Sequence, residues 1–92
     1  MSVVIIGGNE CMQREYKNLC KAYNCNVKIY PKMSSCVNNI GKPDLLVVFT
    51  STASHKLVKK AIGITSSDST IIERSHSSSL SALRCILDKH TS

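Results

Sequence analysis

Ser2-Val3-Val4-Ile5-Ile6-Gly7-Gly8-Asn9-Glu10 opens the chain and decides its fold. The β-branched run from Val3 to Ile6 has no polar alternation, as a parallel strand covered on both faces requires. Gly7 and Gly8 break it. Asn9 then suits a helix N-cap, and Glu10 suits the positive first turn. Met12, Tyr16, Leu19, Cys20 and Tyr23 follow at helical spacing and make one apolar stripe, which predicts a helix over 10–23. Strand, glycine turn and helix form the first unit of an α/β fold.

The same grammar occurs twice more. Leu45-Leu46-Val47-Val48-Phe49 leads through Thr50-Ser51-Thr52-Ala53-Ser54-His55 into Leu57, Val58, Ala61 and Ile62. Thr70-Ile71-Ile72 leads through Arg74-Ser75-His76-Ser77-Ser78-Ser79 into Leu80, Leu83 and Leu87. These runs predict strands over 44–50 and 69–73, and helices over 54–62 and 79–89. Between them, Val27 and Ile29 alternate with Lys28 and Tyr30, a strand over 27–30 with one wetter face, stopped by Pro31. A short helix is expected over 34–40, with Gly41 as C-cap and Pro43 as stop. Right-handed crossovers then give a four-stranded parallel sheet of order 2-1-3-4. The first and last helices cover one face and the middle two the other, making a three-layer α/β sandwich.

Ninety-two residues read as one domain over 1–92. That is too short for a dinucleotide fold built from two βαβαβ halves. A parallel sheet this small gains core by pairing with a second copy, so a homodimer is expected. Met1-Ser2 runs straight into a strand with no secretory pattern, and no apolar run approaches the ~20 residues of a membrane span. A cytoplasmic location and no membrane partner are therefore expected. The five cysteines (11, 20, 25, 36 and 85) are odd in number and read as reduced thiols. Cys20 and Cys85 sit on or beside apolar stripes; Cys25 and Cys36 fall in turns. Cys11 lies in the first helical turn, where the helix field lowers a thiol pKa; it reads either as a reactive or ligating thiol or as a small apolar filler. No C-x-x-C occurs, which argues against structural zinc.

The net charge of +6 fits an anionic ligand or an acidic partner. Lys56, Lys59 and Lys60 make the densest basic run, read as a solvated helix face. With three Tyr, one Phe, no Trp and no RNA-binding signature, nucleic-acid binding would rest on charge alone and is not expected.

In order 2-1-3-4 the winding reverses between strands 1 and 3, and ligands of such sheets bind there, outside the strand C-terminal ends. Gly7, Gly8 and Asn9 flank one side, Ser51, Thr52, Ser54 and His55 the other. Arg74, Ser75, His76, Ser77 and Ser78 lie one strand further out. The glycines allow close backbone approach, helix N-termini favour anions, and Arg74 offers a planar fork for carboxylate or phosphate. Each loop alone is an ordinary way to turn a chain and cap a helix. Together they predict a site for a small anionic molecule, a phosphate-containing one among the candidates. Neither G-x-G-x-x-G nor a P-loop Gly-Lys-Ser/Thr is present. His55 and His76 follow adjacent strands about 4.8 Å apart and suit ligand hydrogen bonding, proton transfer, or ligation of a metal or haem. No G-x-S-x-G elbow occurs and the chain has only six acids, so no catalytic set can be named and enzymatic activity is not expected. A ligand-free protein-interaction or regulatory domain is the alternative from another class.

Three segments carry a resemblance: Ser2-Val3-Val4-Ile5-Ile6-Gly7-Gly8, the pair Ser54-His55, and Arg74-Ser75-His76-Ser77-Ser78-Ser79-Leu80. With them the chain resembles the bacterial domain-of-unknown-function family numbered 2325. The resemblance implies a small Rossmann-like domain, found alone or joined to others, without an established general activity. It also implies haem as a candidate ligand. The residues to test would be His55 and His76, with Cys11 and Met12 as further candidates.

Overall fold

The computed structural model describes residues 1–30, 40–41, 43–65 and 70–91. Strand β1 (Ser2–Ile6) passes through a 3-10 turn (Glu10–Met12) into helix α1 (Gln13–Ala22). Strands β2 (Asn26–Tyr30) and β3 (Leu45–Phe49) follow, then α2 (His55–Thr65), β4 (Ile71–Ser75) and α3 (Leu80–Thr91). All pairings are parallel and the sheet order is β2-β1-β3-β4, as the crossover rule requires. The helix expected over 34–40 lies outside the described residues apart from Ile40, and so does Cys36.

Alternation along the central strands feeds two cores. Val3, Ile5, Leu45, Val47 and Phe49 point to one face, where Tyr16 and Cys20 of α1 and Leu83, Ile86 and Leu87 of α3 pack. Val4, Ile6, Leu46 and Val48 point to the other, against Leu57 and Ala61 of α2 and against Ile40. The first and last helices thus share a face, as expected. β3 is buried along its whole length, which explains why it is the most apolar run in the chain. β2, an edge strand, is half exposed.

β4 starts and ends two residues later than the pattern suggests. Glu73, Arg74 and Ser75 read as a polar loop, but their backbone pairs with Val47, Val48 and Phe49. An edge strand tolerates polar side chains because solvent reaches them. Glu73 also has partners on α3, with Lys89 Nζ at 3.4 Å and His90 Nε2 at 3.1 Å. Arg74 and Ser75 are therefore strand residues. α2 likewise continues past 62 through Gly63 to Thr65, whose hydroxyl donates to the Ala61 carbonyl at 2.7 Å.

The end of α1 is a Schellman motif. Asn24 takes the left-handed conformation, with φ +58°. Its N–H donates to the Lys21 carbonyl, and the Cys25 N–H donates to the Cys20 carbonyl, both at 2.9 Å. The motif turns the chain into β2 and buries both cysteines in the core. Burial, and secondarily Cys25, pushes the Cys20 thiol up from 9.0 to about 11. Tyr23 donates its hydroxyl to Asp88, and that bond is the first cause holding the phenol above its ordinary 10.0.

Raised acids bind protons more tightly when folded, so the unfolded chain ionises first and stability falls as pH rises. The Cys20 contribution to the urea midpoint should therefore be constant below pH 9 and decline from there towards 11. Below pH 10 that decline rests on Cys20 rather than Tyr23, and Cys20→Ala should flatten it. An unchanged slope in that variant would contradict the assignment.

Candidate functional site

The loops leaving β1, β3 and β4 emerge at one edge of the sheet. In the first, Gly7 (φ +86°) and Gly8 (φ +89°) are both buried. A Cβ on Gly7 would lie 2.9 Å from the Ala53 Cβ and 3.0 Å from the Phe49 carbonyl oxygen. On Gly8 it would lie 3.0 Å from the Tyr16 ring. The close approach that demands glycine here is an approach of the protein's own backbone and side chains.

Internal partners also take up the donors of this loop. The Gly7 N–H donates to the Tyr30 carbonyl at 2.9 Å. The Gly8 N–H donates to the Thr52 hydroxyl at 2.7 Å, and the Asn9 N–H to the Tyr16 hydroxyl at 3.1 Å. The Asn9 carboxamide oxygen accepts from the Cys11 N–H at 2.9 Å, the expected N-cap.

Tyr16 is the centre of the arrangement. Its ring tilts against Phe49, centroids 5.7 Å apart. Its hydroxyl accepts from Asn9 and donates to the Ser78 carbonyl at 2.5 Å. Tyr16 thus ties the first loop to the third, and Thr52 ties the first to the second. The sequence shows Tyr16 only as one member of an apolar stripe. Ser78 lies 62 positions away, so no local signal marks the hydroxyl's role.

The serines also serve the chain. Ser54 accepts from the Leu57 N–H at 3.2 Å and caps α2. Ser79 accepts from the Ala82 N–H at 3.2 Å and caps α3. Ser75 donates to the Ser77 carbonyl at 2.8 Å, and the Ser77 hydroxyl meets that of Ser79 at 3.1 Å. Ser51 is exposed in the turn after β3.

One step outward from the switch point lies an open cleft of about 430 Å³. Thr50, Ala53, His55, Val58, Lys59, Ile62 and Arg74 line it. Arg74 pairs in register with Val48, so its side chain rises on the α2 face of β4. Ala53, Val58 and Ile62 supply an apolar wall; the guanidinium, the ammonium and the imidazole supply cationic and polar groups around it. No carboxylate is among the described lining residues. Of the residues singled out by sequence, the cleft brings together His55 and Arg74. His76 and Ser77 are exposed beyond β4 and do not line it. Cys11 lines a different groove with Glu10, Gln13, Arg14 and Lys17. Among the described residues, no three His, Cys, Asp or Glu side chains group as metal ligands would. A further groove, between α1 and α3, carries opposed charges from Glu15 and Arg84.

A family model for uncharacterized proteins conserved in bacteria, DUF2325, matches residues 2–90. The chain belongs to the DUF2325 family. No curated protein and no solved structure matches it. The DUF2325 match runs from β1 into α3 and so takes in all three loops and the cleft.

In this DUF2325 chain, Tyr16→Phe should test the loop tie. The variant keeps the ring against Phe49 but strips partners from the Asn9 N–H and the Ser78 carbonyl. Each group left unsatisfied costs about 1–3 kcal/mol. Both bonds are only part-buried, so water relieves some of this, and urea unfolding should show a total loss of about 1–3 kcal/mol. A loss below about 0.5 kcal/mol, the ordinary scatter of surface substitutions, would contradict the tie.

Proposed function

We propose that this protein is a binding module for a small anionic molecule, held in the cleft between α2 and β4. The observation that carries this reading is the lining itself: Arg74, Lys59 and His55 converge on an apolar wall with no carboxylate among them. A guanidinium binds carboxylate or phosphate with two parallel hydrogen bonds, and an ammonium adds a point charge. His55 stands at the first residue of α2, where the helix field favours negative charge. In this reading the imidazole and the Thr50 hydroxyl orient the ligand, and Val58 and Ile62 cover its apolar part. Gly7, Gly8, Asn9, Thr52 and Ser54 hold the frame that fixes the cleft. The chain's charge of +6 raises the local concentration of any anion.

A second reading shares the same residues. An imidazole beside two cations and an apolar wall suits a flat macrocycle bearing two carboxylates. Haem is therefore the other candidate ligand, with His55 as the residue to hold its iron and Arg74 and Lys59 placed for its propionates.

Calorimetric titration with inorganic phosphate, a phosphosugar, a nucleotide and hemin tests both readings. At least one should bind. A charged hydrogen bond contributes about 1.5–3 kcal/mol, so Arg74→Ala should weaken binding roughly tenfold to a hundredfold. Combined with His55→Ala it should abolish it. Hemin binding that survives His55→Ala would remove the haem reading. No binding of any probe, or binding untouched by both substitutions, would overturn the proposal.

A further inference from the structure

Two cysteines that the cleft does not use are brought together by the end of α1. In its Schellman motif Cys20 occupies the first position of the six-residue bonded turn and Cys25 the last. The Cys25 nitrogen is 2.9 Å from the Cys20 carbonyl oxygen. Standard bond lengths then keep the two Cα atoms within about 6.8 Å, the outer limit of the range that disulfides span. Both side chains enter the same core cluster, the usual apolar contact across this motif. Cys11 and Cys85 are exposed and have no such placement.

We propose that Cys20 and Cys25 are a dithiol–disulfide modification site, oxidised within one chain by a low-molecular-weight disulfide.

Accessibility sets the order of events. Cys25 is 8% exposed and Cys20 is fully buried. The Cys25 S–H donates to the Tyr23 carbonyl at 3.4 Å, at the surface end of the pair. The Cys25 thiolate attacks one sulfur of the oxidant, breaks its S–S bond and expels the first thiol. Cys20 then gives up its proton and attacks the Cys25 sulfur, and the second thiol leaves. The oxidant gains two electrons and two protons, and the chain loses two hydrogens. The high thiol pKa of Cys20 makes the second step the slow one, because the thiolate is the nucleophile. The bond closes around Tyr23 and Asn24 and staples the end of α1 to the start of β2.

Trypsin makes the test direct, because Lys21 lies between the two cysteines and Lys17 and Lys28 flank them. The folded, reduced protein is incubated with oxidised glutathione, its remaining thiols are alkylated, and it is digested without reductant. Peptides 18–21 and 22–28 should appear joined, two hydrogens lighter than their sum, and should separate again with dithiothreitol. The link should persist in Cys11→Ala with Cys85→Ala and vanish in Cys25→Ser. Glutathione left on Cys25 with Cys20 alkylated would overturn the proposal. So would alkylation of both cysteines, or a link that forms only in urea.

Discussion

The structure depends on where the Tyr16 hydroxyl ends up. An open α/β sheet places its loops together at one edge, but nothing in the sheet ties those loops to one another. Here one side chain from α1 does so. Its ring fills the space above Gly8 and against Phe49, and its oxygen holds the Asn9 N–H and the Ser78 carbonyl. A buried aromatic of this kind removes 150–250 Å² from water, several kcal/mol at about 25 cal/mol per Å². In a 92-residue chain that is a large share of any margin.

The other features of the edge surround it. Gly7 and Gly8 must be glycine because Ala53 and Tyr16 come so close. Thr52 is needed because the Gly8 N–H, turned inward by the same packing, requires an acceptor. Asn9 caps the 3-10 turn ahead of α1, and Ser54 and Ser79 cap α2 and α3. With the switch-point donors taken up by the protein itself, the open cleft lies one strand outward, between α2 and β4. There Arg74 and Lys59 border an apolar wall, with no carboxylate among the described lining residues.

Much of the fold was legible because burial on both faces leaves a plain mark. β1 and β3 are uninterrupted apolar runs, and each glycine or serine break falls where the chain leaves the sheet. β4 was displaced by two residues because an edge strand can carry Glu73, Arg74 and Ser75 without losing its ladder, so polarity imitates a loop. At the site, the location of the loops could be read but the division of labour could not. Whether a serine caps a helix or waits for a ligand depends on which backbone groups face it. Tyr16 looked like core because its ring is core; only the fold brings Ser78 to its hydroxyl. Lys59 read as part of a solvated face, and its position beside Arg74 emerges only when β4 is set against α2.

The loop donors at the switch point are taken up by the protein itself, and the proposed anion site lies beyond it. Backbone amide shifts mapped by NMR during a titration with inorganic phosphate test this most directly. The largest movements should fall at Thr50, His55, Lys59 and Arg74, with Gly7, Gly8 and Asn9 held still by their internal partners. Leading shifts at Gly7, Gly8 and Asn9, with Arg74 unmoved, would contradict it.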